Sequence, residues 1–112
     1  MARIRTIKPA FWSSPGVTKM SPWARLAFIA MWNWADDFGR GTYEPRELMG
    51  FIFPREDDMT VSEFRQLVGE IHLHVGVVFY SVGGRHFYEI STWKSHQKTD
   101  PRFKESKLPG PD

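Results

Sequence analysis

The run from residue 60 to residue 90 constrains this chain more than any other feature. Thr60 and Glu63 form a Thr-x-x-Glu capping box, in which each residue satisfies an orphan donor of a helix start. The acids just before it, Asp57 and Asp58, suit the positive end of the helix dipole. Phe64, Leu67, Val68, Ile71 and Val75 then recur at helical spacing, which predicts a helix from Thr60 to Val75 with those residues inward. Ser62, Arg65, Gln66, Gly69 and His72 fall on the other flank, and Gly76 is a suitable C-cap. Two short β-prone segments follow, Val77 to Val82 and Arg85 to Ile90, around Gly83-Gly84. That dipeptide fits a two-residue hairpin turn, where both positions need positive φ. The register puts Val77, Phe79, Tyr88 and Ile90 on one face and Val78, Tyr80, Val82, Phe87 and Glu89 on the other. The second face is too apolar to be left wet, so the N-terminal arm, Trp93 or a partner is expected to cover it.

Two helices are predicted upstream. Ser21-Pro22 supplies an N-cap followed by proline at the first helical position. The stretch from Trp23 to about Ala35 is apolar on most sides, which predicts a buried central helix. Asp36, Asp37 and Gly39 end it, and 39–43 form a connector with room for a short strand. Pro45 opens a short helix to Ile52, with Leu48, Met49 and Ile52 on one face, and Pro54 stops it. Residues 2–8 alternate and precede Pro9, so they read as an extended arm, pinned by Phe11 and Trp12. Ser13-Ser14-Pro15-Gly16 reads as a turn. Core packing is expected for most of the five tryptophans.

Helix, connector, helix, helix and hairpin is the order of an α+β winged helix-turn-helix. The expected architecture is three helices, a C-terminal hairpin wing and an N-terminal arm. With 112 residues the chain suits one domain, taken as 1–98, with 99–112 as a basic tail or linker. Cysteine is absent, which rules out disulfides and thiolate metal sites and suits a cytoplasmic location. No apolar run approaches the roughly 20 residues of a membrane span. Basic residues at the start lack the apolar segment of a signal peptide.

The formal charge is only +2, but it is unevenly placed. The first nineteen residues hold Arg3, Arg5, Lys8 and Lys19 and no acid, whereas 20–92 hold six arginines against ten acids. Cationic ends suit phosphate contacts, which gain from counterion release. In a winged helix the last helix before the wing enters the major groove. Arg65 and Gln66 are then candidates to read guanine and adenine, Gly69 to allow close backbone approach, and His72 to touch base or phosphate. Arg85 and His86 at the wing tip are further contacts, with Arg3, Arg5, Lys8, Lys94 and Lys98 on phosphates. Glu63 and Glu70 share the third helix and would repel phosphate. No phosphate loop, nucleophile elbow or zinc signature is present, so neither an enzyme nor a cofactor is expected.

The opening, Met1-Ala2-Arg3-Ile4-Arg5-Thr6-Ile7-Lys8-Pro9-Ala10-Phe11-Trp12, resembles a family of small actinobacterial phage and prophage proteins. These are described as helix-turn-helix DNA-binding or replication-initiation-like. The likeness continues at Ala24-Arg25-Leu26, Trp32-Asn33, Asp36-Asp37, Phe53-Pro54, Trp93, His96-Gln97 and Lys107-Leu108-Pro109, and so spans nearly the whole chain. It implies a phage origin, a winged-helix fold and DNA binding; the expected role is replication initiation or transcriptional regulation, with duplex DNA as the expected partner. The alternative is a protein-interaction module that docks a host protein or itself through Tyr80 and Phe87, without DNA.

Overall fold

A computed structural model describes residues 2–97, 101–102 and 105–111. Helix α2 (Pro22–Trp34) starts where its cap predicts, with the Ser21 side chain accepting from the Ala24 amide. Helix α3 (Pro45–Ile52) is capped by Glu44, whose carboxylate accepts from the Glu47 amide. Helix α4 (Val61–Val75) has both halves of the Thr60–Glu63 capping box and ends at Gly76 in the left-handed region. Strands β2 (Val77–Val82) and β3 (Arg85–Ile90) pair antiparallel in the expected register, with Phe79 opposite Tyr88 and Tyr80 opposite Phe87. Both turn glycines have positive φ, 59° at Gly83 and 80° at Gly84, as a twist-matched two-residue turn requires.

Three short elements exceed the three-helix expectation. Pro9–Ser13 is a 3-10 turn, α1 covers Pro15–Lys19, and α5 covers Trp93–His96. The described residues thus form an α+β fold with five α-helices. The connector does hold a strand, β1 (Arg40–Thr42), which pairs with β3 to give a three-stranded antiparallel sheet in the order β1-β3-β2. Gly41 lies opposite Tyr88, and a Cβ there would sit 2.4 Å from the phenol ring. The missing side chain lets Tyr88 cross β1 and donate its hydroxyl to the Met31 carbonyl at 2.6 Å. This bond ties the sheet to the last turns of α2.

The core lies between the inner sheet face and helices α1, α2, α3 and α4. Tyr88, Phe64, Met31, Leu48, Ile71 and Val77 are its largest fully enclosed members on these elements. Helix α2 is not enclosed on all sides, contrary to its composition. Ala24, Ala27, Phe28 and Met31 face inward, while Trp23 and Leu26 are exposed. Of the expected arm anchors, Phe11 packs on the core but Trp12 is exposed.

The outer sheet face is covered in part by the chain's own C-terminal segment, while Val78 and Val82 on that face stay exposed. Tyr80 donates its hydroxyl to the Pro109 carbonyl at 2.6 Å, and Arg40 Nη1 donates to the Leu108 carbonyl at 3.0 Å. Ser106 donates to the Asp36 carboxylate. Beneath this segment Phe87 is 1% exposed and stacks on Tyr80 at 5.8 Å. Residues 106–110 are therefore docked on the sheet, and they supply over Tyr80 part of the cover that was expected from the arm, Trp93 or a partner.

Candidate nucleic-acid interface

Helix α4 is buried along one stripe, Phe64, Val68 and Ile71, and open along the opposite one. Ser62, Arg65, Gln66, Gly69 and His72 are exposed, as the helical spacing predicts, and Leu73 is exposed beside them. A Cβ added at Gly69 would meet nothing within 4 Å, so no internal contact requires glycine there. The His72 ring places Nδ1 2.8 Å from the Val77 carbonyl. A carbonyl only accepts, so Nδ1 carries the proton and Nε2 remains for an outside group.

The two acids of α4 are both engaged within the fold. Glu63 accepts from the Thr60 amide at 3.0 Å, and this backbone bond, with the Thr60 hydroxyl, holds its carboxyl below the ordinary glutamate range. Glu70 turns toward α2, where it accepts from the Ser21 amide at 2.7 Å and the Ser21 hydroxyl at 3.0 Å. A carboxylate at the start of α2 also meets the positive end of that helix dipole. The repulsion expected from Glu70 on the open flank is thus reduced by its inward orientation.

The flank continues onto the sheet through aromatic contacts. His72 lies edge-on to Phe79 at 6.2 Å, and Phe79 lies edge-on to Tyr43 at 5.0 Å. Burial raises the Tyr43 hydroxyl above its ordinary pKa, and the nearby Arg65 cation offsets part of that rise. The Tyr43 amide donates to the His86 carbonyl at 2.8 Å, which joins this patch to the wing.

The strand alternation separates the two wing-tip candidates. His86 has the parity of Phe79 and Tyr88 and belongs to the α4 side. Arg85 has the parity of Phe87 and lies over that ring at 5.2 Å, on the side of the docked C-terminal segment. The two wing-tip candidates thus lie on opposite faces of the hairpin.

The N-terminal arm is held against the body. Arg5 is the clearest correction, because its side chain is only 6% exposed and cannot lie on a phosphate. Nε donates to the Trp32 carbonyl at 2.9 Å, and Nη2 donates to the carbonyls of Ala35 at 2.8 Å and Asp36 at 3.0 Å. Nη1 donates to the Asp37 carboxylate at 3.0 Å, and the guanidinium lies 4.7 Å from the Trp93 ring centre. Arg5 therefore caps the C-terminal carbonyls of α2 and neutralises a buried acid. Arg3 pairs with the same carboxylate at 3.6 Å, and its backbone exchanges bonds with Asn33. Lys8 donates to the Ser95 carbonyl at 2.8 Å. Lys94 is exposed on α5, and Lys98 lies outside the described residues.

Tyr80 and Phe87, the candidates for a protein interface, do not form an open surface. The first is half-buried and bonded to Pro109, and the second is enclosed. Among the described residues no group of three or more His, Asp or Glu could hold a metal ion, and no helix is long and apolar enough to cross a membrane. No protein-family model matches the sequence, and comparison with curated proteins and with solved structures finds no match.

Proposed function

We propose that this chain is a winged helix that binds duplex DNA with the open flank of α4. The order α2-β1-α3-α4-β2-β3 and the sheet order β1-β3-β2 support the winged-helix reading. The observation that carries the DNA reading is the α4 flank itself. Arg65, Gln66, Gly69 and His72 face solvent, while Glu70 is drawn inward by Ser21. Arg65 and Gln66 reach base edges, His72 and His86 flank them, and Arg85 approaches from the far side of the wing tip. Lys8 and Lys94 add peripheral charge. Arg5 is excluded from the contact set. A role in phage replication or regulation follows from the resemblance of the opening segment.

The test is fluorescence anisotropy of a labelled random duplex over a range of salt. Affinity should fall with rising salt, and Arg65→Ala should reduce the slope by about one unit if that residue neutralises a phosphate. A base contact by Arg65 should instead cost about 1–3 kcal/mol on the preferred site alone. Binding that ignores both salt and the Arg65→Ala/Gln66→Ala pair refutes the reading.

A second reading, self-association, is favoured by exposed Trp23 and Leu26 on α2. Sedimentation should then show a dimer that Leu26→Ser dissolves. A monomer at high concentration refutes it.

A further inference from the structure

A cleft of about 450 Å³ lies between the arm, α1, the end of α4 and α5. Its floor is aromatic: Phe11, Phe28, Trp32 and Trp93. Phe11 and Phe28 each stand nearly perpendicular to Trp32, at 5.2 Å and 5.3 Å, and Phe11 lies roughly parallel to Phe28 at 6.3 Å. These rings pack on one another into an apolar aromatic floor, with Phe11 its most open member, which suits a flat aromatic guest. The volume falls within the range of small-molecule sites, about 300–1,000 Å³.

The rim has a different chemistry. Lys8, His74 and His96 line it, and among the described residues no Asp or Glu does. The Lys8 ammonium is held at the mouth by the Ser95 carbonyl at 2.8 Å, which uses one of its three donors. The acids of this region are committed elsewhere: Asp37 pairs with Arg5, and Glu70 with Ser21. One wall is a strap. Thr6 and Gln97 exchange three hydrogen bonds of 2.7–3.2 Å, all solvent-exposed, and these fasten the arm to α5. Exposed bonds of this kind open at low cost, which gives a route of entry.

We propose that this cleft binds a planar aromatic monoanion, with its rings on the Phe11–Trp32 floor and its acid group at Lys8 and His96. An aromatic floor alone would take any flat apolar molecule. The Lys8 cation with the donors of two imidazoles at the rim selects the anion. The cleft takes none of its lining from Arg65, Gln66, Gly69 or His72; it shares only Lys8 with the proposed DNA contacts, and its ligand is tested without DNA.

The experiment uses two fluorescent probes of similar shape on the full chain. 8-Anilinonaphthalene-1-sulfonate carries the anion, and N-phenyl-1-naphthylamine lacks it. The sulfonate should bind saturably at one site, at least tenfold tighter than the neutral probe, and should shift the Trp32 and Trp93 indole N–H signals in NMR spectra. Ala10 is exposed and lines the cleft, so Ala10→Trp fills it without disturbing the core, and should abolish binding. Lys8→Met/His96→Gln should weaken the sulfonate about tenfold and leave the neutral probe unchanged. Trp23→Ser/Leu26→Ser removes the exposed patch elsewhere and should leave binding intact. Equal affinity for the two probes, unmoved Trp32 and Trp93 signals in the wild type, or full binding by folded Ala10→Trp overturns the proposal.

Discussion

Arg5→Met separates a structural role from a nucleic-acid one. The methionine keeps much of the side-chain stem but deletes every donor. Three carbonyls near the end of α2, those of Trp32, Ala35 and Asp36, lose their bonds to Arg5. Asp37, itself 6% exposed, loses its 3.0 Å partner, while Arg3 at 3.6 Å stays. Breaking a buried pair from one side costs up to about 3–5 kcal/mol when the remaining charge loses its main partner. The whole stability of a domain of this size is roughly 5–15 kcal/mol. Urea unfolding followed by tryptophan fluorescence should therefore show a large fall in midpoint with an unchanged slope. Arg5→Lys should recover the charge but not the planar fork, and fall between the two. Arg5→Met/Asp37→Asn should be less destabilised than the two single losses added together. A loss below about 1 kcal/mol for Arg5→Met, with weakened DNA binding at unchanged stability, would refute the assignment.

The capping box gives the next expectation: Thr60→Ala should cost about 0.5–2 kcal/mol by urea unfolding. Glu63 has a folded pKa below its unfolded value, so its contribution is complete above the ordinary glutamate range and is lost as pH falls through the lower folded value; Glu63→Gln should flatten that acid limb of the stability curve. Tyr88 runs the other way. Burial, with a smaller push from Asp36, raises its hydroxyl well above the ordinary value of about 10, so stability holds below that pH and falls as pH climbs toward the folded value. Tyr88→Phe should remove this alkaline loss in a pH series of thermal melts. Deleting residues 105–112 should uncover Phe87, cost about 1.5–3 kcal/mol of burial, and raise binding of apolar dyes at the sheet.

Features coded by near neighbours were legible. Ser21-Pro22, Pro45, Thr60-x-x-Glu63 and Gly83-Gly84 act within a few residues, and each marks an element boundary in the structure. Helix α1 was hidden because five residues carry too little periodicity to stand out from a Ser-Pro-Gly turn signal. The exposure of Trp23 and Leu26 was missed because α2 is apolar around most of its circumference and has fewer neighbours than apolar faces. Arg5 was misassigned for a different reason. Its partners lie 27 to 32 positions along the chain, and a basic residue in an arm looks the same whether it meets phosphate or a helix end. Lys107-Leu108-Pro109-Gly110 has the composition of a linker, and only the partner carbonyl bonds from Arg40 and Tyr80 show that it is a lid on the sheet. The α4 flank was legible residue by residue, but the inward turn of Glu70 depends on Ser21, 49 positions away.

Gly69 sits in mid-helix with vacant space where a methyl group would go. Alanine at such a site favours the helix by about 1 kcal/mol. Nothing inside the protein gains from its absence, so a methyl at this position would be felt only by a visitor pressed against α4. Gly69→Ala thus pulls robustness and docking in opposite directions: a variant that melts later should hold its target less well.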